Sequence, residues 1–351
     1  MSKTKLAVIF GGISTEHNVS VVSGTSVIQN LDKKKYKIYP IFIDKDGAWY
    51  SYTKPIQEIK VVPIGTKLRE LQPIYNIVEY LKQVEVAFPV LHGLGGEDGS
   101  IQGLFKMLNL PYVGCGILAS SVGMDKVYTK IIFEKAGIPQ TKYAYVKANN
   151  NEYTYVEKDF TEEKMELKPL TQKISKELSY PMFVKPSNSG SSVGVKKANK
   201  EQELEEAIMN ASKYDTKILI EQGILGREIE CAVLGNSEVI SSPVGEILSA
   251  EEFYTFDGKY NNQESKTIIP ADIDKEISNQ IRDFAIKAFR AIDGKGLSRV
   301  DFFVERGTNQ IYINEINTLP GFTTISMYPK LFEQIGIHYP ELLDQLIELA
   351  M

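Results

Sequence analysis

Four polar residues on two short apolar runs carry the first chemical signal in this sequence: Arg299 and Asp301 in SRVDFFVE, and Glu315 and Asn317 in QIYINEIN. The runs span Ser298–Glu305 and Gln310–Asn317, and the intervening Arg306, Gly307, Thr308 and Asn309 favour a turn, so the spacing predicts a β-hairpin. Alternate strand residues share a face. That puts Arg299, Asp301 and Phe303 on one side, Val300, Phe302 and Val304 on the other, and groups Ile313 with Glu315 and Asn317. A loop centred on Thr308 sets Asp301 opposite Glu315 and Arg299 opposite Asn317. Facing carboxylates repel, and a hard divalent cation between them removes the conflict. Magnesium is commonly held by one or two carboxylates together with substrate phosphates, so the pair points on to a nucleotide. A hydrated acidic pair on a solvent-facing strand is the plainer alternative; the apolar VDFFV and IYINEI context and the tight TLPGFT sequence that follows weigh against it.

A second signal is MFVKPSNSGSSVGVKKA, a strand running through Lys185 into a Ser/Gly loop and out to another strand. Glycines allow close approach of backbone N–H groups to phosphate, serines add hydroxyl donors, and Lys185 adds a point charge. The loop is either a flap over an anion or a flexible surface hairpin. It is not a Walker A sequence, because the Gly-Lys-hydroxyl order is missing. Glu221 and Glu228, beside strand segments in EQGILGREIE, are placed to accept from an adenine amino group or ribose hydroxyls, or are ordinary surface acids. EEFYTFDGKY concentrates Phe253, Tyr254, Phe256 and Tyr260 around an Asp-Gly turn, which suits a water-excluding lid or a loop packed onto the core.

The elements that must position these residues are legible along the chain. Lys5–Phe10, Tyr36–Ile43 and Val84–Leu91 read as strands, with helices starting near Glu16–Ser20 and over Gly99–Leu108. Alternating strands and helices predict a parallel, doubly wound α/β domain, whose ligands sit beyond the carboxyl ends of the strands. Glu16 and His92 lie just past such ends. Glu16 suits a substrate ammonium, or only the N-terminus of a helix; His92 suits a donor or an electrostatic partner, or a structural hydrogen bond. A helix over Ser120–Ala136 carries Lys126 and Lys130, and the polar Lys147–Leu170 stretch reads as a surface insertion. Helices follow over Glu201–Ser212, Asp274–Asp293 and Tyr339–Met351, with a strand at Lys217–Glu221.

Composition sets outer bounds. The 351 residues, 43% hydrophobic and 24% charged, suffice for two or three ordinary globular domains. A formal net charge of -5 argues against a nucleic-acid binder, which needs clustered Lys and Arg. No apolar run reaches the ~18 residues of a membrane span, and MSKTKLAVIFGG shows no signal-peptide pattern, so a cytoplasmic enzyme is expected. Cys115 and Cys231 match no zinc or disulfide spacing.

Taken in order, FGGISTEHNVS, HGLGGEDGSIQGL, MDK, VKPSNSGSSVG, EQGILGREIE, FYTFDGKY, RVDFF and NEINTLPGFTTISMYPKL resemble the ATP-grasp ligases, most closely the D-alanine–D-alanine ligase family, over essentially the whole chain. The resemblance implies an α/β (α+β) ATP-grasp fold preceded by a Rossmann-like parallel-sheet domain. Domains are expected at residues 1–122, 123–215 (with the Ser/Gly flap) and 216–351 (with the metal site and aromatic lid). It further implies that Lys126, Lys185, Ser192, Glu221, Gln222, Glu228 and Lys259 serve ATP, while Asp301, Glu315 and Asn317 hold two Mg²⁺ or Mn²⁺ ions. Glu16 anchors the first D-alanine, with Ser191 and Tyr260 as the gating pair bonded to it and His92 nearby. Arg299 and the Gly321 N–H stabilise the oxyanion, and Ser326 and Met327 border the second D-alanine. The implied activity is ATP-dependent ligation of two D-alanines through a D-alanyl phosphate, for peptidoglycan precursor synthesis, by a homodimer without nucleic-acid or membrane partners and with K⁺ as an activator. Ligases taking D-serine or D-lactate second are the alternative; STEH and GKY favour D-alanine.

Overall fold

The computed structural model describes residues 2–248 and 266–351. Three sheets organise the chain. The first holds β1 (Thr4–Gly11), β2 (Tyr36–Ile43), β3 (Trp49–Tyr52), β4 (Leu71–Pro73) and β5 (Val86–Val90) in the order β4-β3-β2-β1-β5. Helices α1 (His17–Asn30), α2 (Ile77–Leu81), α3 (Ser100–Met107) and α4 (Ile117–Met124) accompany it. β1 runs parallel to β2 and β5, as alternation predicted, but β2 pairs antiparallel with β3, and β3 with β4. The sheet is therefore mixed. The cause is local: Asp44–Ala48 closes a short turn, with Asp44 N–H donating to the Ala48 carbonyl at 2.9 Å and Gly47 at φ 81, and so short a link admits only antiparallel pairing.

The expected single helix over Ser120–Ala136 is two. α4 stops at Met124, and α5 (Lys126–Lys135) restarts behind Asp125, whose extended backbone and carboxylate cap the Tyr128 N–H. The same carboxylate accepts from Ser187 Oγ at 2.6 Å and pairs with Lys217, so the break ties α5 to the second sheet.

The second sheet is antiparallel, in the order β10-β9-β11-β6-β7-β8: β6 (Tyr143–Asn149), β7 (Glu152–Val156), β8 (Glu162–Met165), β9 (Met182–Pro186), β10 (Lys196–Ala198) and β11 (Lys217–Gln222). The Lys147–Leu170 stretch is thus no loose insertion. It supplies β7 and β8, and Tyr153 and Tyr155 bury one face of the EYTYV alternation. β11 lies beyond residue 215 yet is a central strand of this sheet. Helices α6 (Leu167–Glu177) and α7 (Glu201–Ala211) cover the core through Leu170, Ile174, Leu204 and Ile208.

The third sheet has the order β14-β13-β12-β15-β16: β12 (Gly226–Gly235), β13 (Val239–Leu248), β14 (Lys266–Ile268), β15 (Gly296–Glu305) and β16 (Ile311–Asn317). Helix α8 (Lys275–Ala291) lays Ile281, Ala285, Ala288 and Phe289 against it, all fully buried. Ile281 and Phe289 each contribute about 1.5–3 kcal/mol by that burial. Asp274 caps α8, accepting from Glu276 N–H at 2.7 Å. The closing helices α9 (Met327–Glu333) and α10 (Tyr339–Ala350) pack Tyr328, Phe332, Leu342 and Leu346 into one core with Val8, Phe10 and Phe88 of the first sheet. This shared core fixes the segment after β16 against the carboxyl ends of β1 and β5.

Candidate active site

The β15–β16 hairpin has the register its sequence predicted: Asp301 faces Glu315, and Arg299 faces Asn317. Next to Asp301 the ladder slips, and Phe302 pairs with Ile313. This β-bulge reverses the alternation. Ile313 joins Ile311 and Ile316 in the core instead of sharing the face of Glu315, and Asn314 turns with Glu315 toward the site. Only the tertiary pairing could disclose Asn314, because a bulge leaves no residue-type signature here.

The hairpin forms one wall of a cavity of about 700 Å³, within the range of ligand sites. Glu16, His92, Lys126, Lys185, Ser191, Ser192, Glu228, Arg299, Asp301, Glu315, Asn317, Gly321, Ser326 and Met327 all line it. So do Glu97, Glu230, Asn314, Lys266 and Lys330, which sequence reasoning did not single out. Lys259, Tyr260 and the rest of the aromatic cluster lie outside the described residues.

Glu16 stands at the N-cap position of α1 without capping it. Its carboxylate turns across the cavity and accepts from Ser191 Oγ at 2.5 Å. Gly190 and Gly93 flank it so closely that an added Cβ on either would lie 2.6 Å from Glu16 Oε2. Ser191 and Ser192 both take left-handed backbone conformations, φ 49 and 60, a strain of about 1–3 kcal/mol each that the Glu16 bond helps hold. Lys126, first residue of α5, donates to the Ser189 carbonyl at 2.7 Å and stands 3.8 Å from Glu315. The Ser/Gly loop is thereby tied to the first sheet and to the hairpin.

Lys185, on β9, is 2.6 Å from Glu221 Oε2 on the adjacent β11, while Glu221 Oε1 is 2.6 Å from Lys130 and accepts from Thr141 Oγ1 at 2.8 Å. Glu221 is buried, and the two ammonium groups hold its carboxyl well below the usual carboxylate range against the opposing effect of burial. Gln222 Oε1 accepts from Ser179 N–H at 3.2 Å. Lys185, which lines the cavity, is thus paired with Glu221, and fully buried Lys130 becomes part of the arrangement.

Burial pushes the His92 imidazole toward its neutral form. Its Nδ1 lies 3.0 Å from the Leu319 carbonyl and must carry the hydrogen, so Nε2, 3.1 Å from Ser23 Oγ, accepts the hydroxyl. The same hydroxyl oxygen accepts from Phe322 N–H at 3.2 Å. Both ring nitrogens thus hold the loop that carries Gly321, while the residue also lines the cavity. Glu97 assists by accepting from Leu319 N–H at 3.1 Å and Gly93 N–H at 2.8 Å. Its removal from bulk water, then the Glu16 charge, push its carboxyl up to about 8. Ser326 Oγ accepts from Thr323 N–H at 3.0 Å and sits over Gly321, where an added Cβ would approach it to 2.7 Å.

Arg299 Nε and Nη2 donate to the two oxygens of Asp301, each at 2.7 Å, and Asn317 Nδ2 donates to Asp301 Oδ2 at 3.1 Å. Asp301, Glu315 and Asn317 offer two carboxylates and an amide oxygen. That is a hard donor set suited to magnesium, with positions left for phosphate and water.

Two family models divide the chain between them: the D-ala D-ala ligase N-terminus over residues 5–115, and the D-ala D-ala ligase C-terminus over residues 132–348. A D-alanine–D-alanine ligase of Acetivibrio thermocellus is 48% identical, with 99% of this chain and 96% of that protein covered. The chain belongs to the D-alanine–D-alanine ligase family. The family's solved structures share its architecture. The D-alanine–D-alanine ligase from Coxiella burnetii matches with a TM-score of 0.81 at 34% identity, covering 100% of this chain and 94% of that one. The VanG D-Ala:D-Ser ligase from Enterococcus faecalis matches at 0.83 and 36%, covering all of both chains. The fold is accordingly ATP-grasp with a Rossmann-like N-terminal domain, and membership makes the chain an ATP-dependent, ADP-forming ligase.

Proposed function

We propose that the chain joins two D-alanines into D-alanyl-D-alanine, a peptidoglycan precursor, at the cavity between the three sheets. The observation that carries this reading is convergence: the Glu16–Ser191 pair, Arg299 with the Asp301–Glu315 pair, the two lysines and Gly321 come from distant parts of the chain to one cavity. Glu16 receives the ammonium of the first D-alanine. Lys126 and Lys185 bind ATP phosphates, with Ser192 supplying a hydroxyl; Glu221, Gln222 and Glu228 take the adenosine end, and Glu221 also orders Lys185. Asp301, Glu315 and Asn317 would hold the divalent cations, Mg²⁺ or Mn²⁺, which neutralise the phosphates during in-line transfer. The proposal also includes the expected gating role of Tyr260 and the ATP role of Lys259, K⁺ activation, a homodimer and a cytoplasmic setting.

The chemistry needs two steps. A carboxylate oxygen of the first D-alanine attacks the γ-phosphorus, ADP leaves, and the carbonyl carbon acquires a good leaving group. The free amine of the second D-alanine, bordered by Ser326 and Met327, then attacks that carbon. It loses a proton, and phosphate departs with the original carboxylate oxygen. Arg299 and the Gly321 N–H stabilise the tetrahedral oxyanion; loss of one such donor typically costs about 3 kcal/mol. His92 and Glu97 position Gly321 for this task. The test is product analysis with ATP, Mg²⁺ and D-alanine, alone and with D-serine or D-lactate added. Dipeptide equal to ADP released is expected. Preferential D-Ala-D-Ser or D-Ala-D-lactate formation would overturn the choice of second substrate.

A further inference from the structure

Glu230 lies in register with Asp301 across β12 and β15, and Asp301 lies in register with Glu315 across β15 and β16. Three carboxylates therefore form a row over three adjacent strands, and all three line the cavity. Like charges in such a row are unfavourable, and a cation must stand among them. Arg299 is that cation between the first two. Its fork takes both Asp301 oxygens at 2.7 Å, while Nε also stands 3.2 Å from Glu230 Oε2. The Glu230 side chain is only 7% exposed and that of Arg299 19%, so water competes weakly for either.

The fork occupies the same two oxygens that a divalent ion would need from Asp301. A guanidinium and a metal ion cannot both hold them in full, and Arg299 is also the residue assigned to the oxyanion. A second carboxylate within reach, outside the metal donor set, resolves this conflict. We infer that Glu230 is the positioning residue of Arg299: it retains the guanidinium at the reacting end of the cavity when Asp301 is given over to the cation. The inference rests on the proposed roles of Asp301 and Arg299. Without Glu230, Asp301 is the carboxylate that still holds the Arg299 fork among the described residues. Arg299 then competes harder with the cation, and it loses that hold when the cation wins.

The test separates position from charge. Glu230→Gln removes the charge; Glu230→Asp keeps it on a shorter arm that cannot reach equally far. Mn²⁺ affinity of the enzyme–ADP complex, read by electron paramagnetic resonance, and kcat at saturating Mg²⁺ are measured for both, with thermal unfolding confirming the fold. A fall in kcat on the order of 10- to 100-fold is expected in both variants at saturating Mg²⁺, the scale of a misplaced catalytic group. Mn²⁺ affinity should weaken in both variants, because in each Arg299 falls back on Asp301 and competes with the cation; weakening in Glu230→Gln alone would show a charge effect only and overturn the inference. Restoration of wild-type kcat by saturating Mg²⁺ in both would show that Glu230 acts only as a distant charge and would overturn the inference. Asp301→Asn provides the independent control. Undiminished Mn²⁺ binding there would overturn the metal assignment and this inference together, whereas lost binding with normal Glu230 variants would overturn the inference alone.

Discussion

Replacing Lys130 by Met removes one ammonium from a carboxylate that has two. Glu221 lies 2.6 Å from each of Lys130 and Lys185, and the side chains of Lys130 and Glu221 are 2% and 7% exposed. Methionine preserves most of the aliphatic volume, so the change is mainly electrostatic. Breaking a buried pair by deleting one partner costs about 3–5 kcal/mol. Lys185 and the Thr141 hydroxyl remain on Glu221, which places this case at the lower end, about 3 kcal/mol. The pH dependence has a definite sign. Glu221 is depressed in the folded protein, so its stabilisation is full above its unfolded value of about 4.3 and is lost as pH falls through the lower folded value. Loss of Lys130 raises the folded value, and the variant can then take up a proton that the wild type refuses. The stability gap should be largest at pH 7.5 and shrink toward pH 3, below the unfolded value. Urea unfolding followed by circular dichroism at the two pH values measures it. A variant as stable as wild type at pH 7.5, or a gap that widens in acid, would refute the reasoning.

Other outcomes follow from the same geometry. Gly190→Ala drives a methyl to 2.6 Å from Glu16 Oε2 and should raise the KM for the first D-alanine at least tenfold while the melting temperature changes little; steady-state kinetics decide. Ser191→Ala deletes the bond to Glu16 and should cost about 1–3 kcal/mol of transition-state stabilisation, read as kcat/KM. Asp301→Ala or Glu315→Ala should abolish turnover at millimolar Mg²⁺, and near-normal rates in either would sink the metal assignment. Glu97, raised to about 8, binds its proton more tightly folded than unfolded, so its contribution to stability falls as pH rises from about 4.3 through 8. Glu97→Gln should flatten unfolding midpoints between pH 6 and 9, and an unchanged slope would exclude that origin.

The β15–β16 hairpin was legible because register follows from period-two alternation and a short turn, and Asp301 opposite Glu315 needed nothing else. The bulge that brings Asn314 in and sends Ile313 to the core was not, since it depends on how β16 fits its partner strand. Glu230 and Glu97 carry no motif of their own: one matters by its register with Asp301, the other by accepting from Leu319, 222 positions away. Lys130 was visible on its helix, but its pairing with Glu221 required the second sheet. Two misreadings left signals in plain view. Asp125 is a good N-cap residue, which marked the break between α4 and α5, and EYTYV alternates as a strand inside a segment whose polarity suggested an insertion.

The central claim is that a carboxylate is activated as an acyl phosphate before the peptide bond forms. D-Alanine labelled with ¹⁸O in its carboxylate, turned over with ATP and Mg²⁺, tests it through the mass of the inorganic phosphate. One ¹⁸O per phosphate, in step with D-alanyl-D-alanine formed, is the predicted result. Unlabelled phosphate accompanying dipeptide would contradict it.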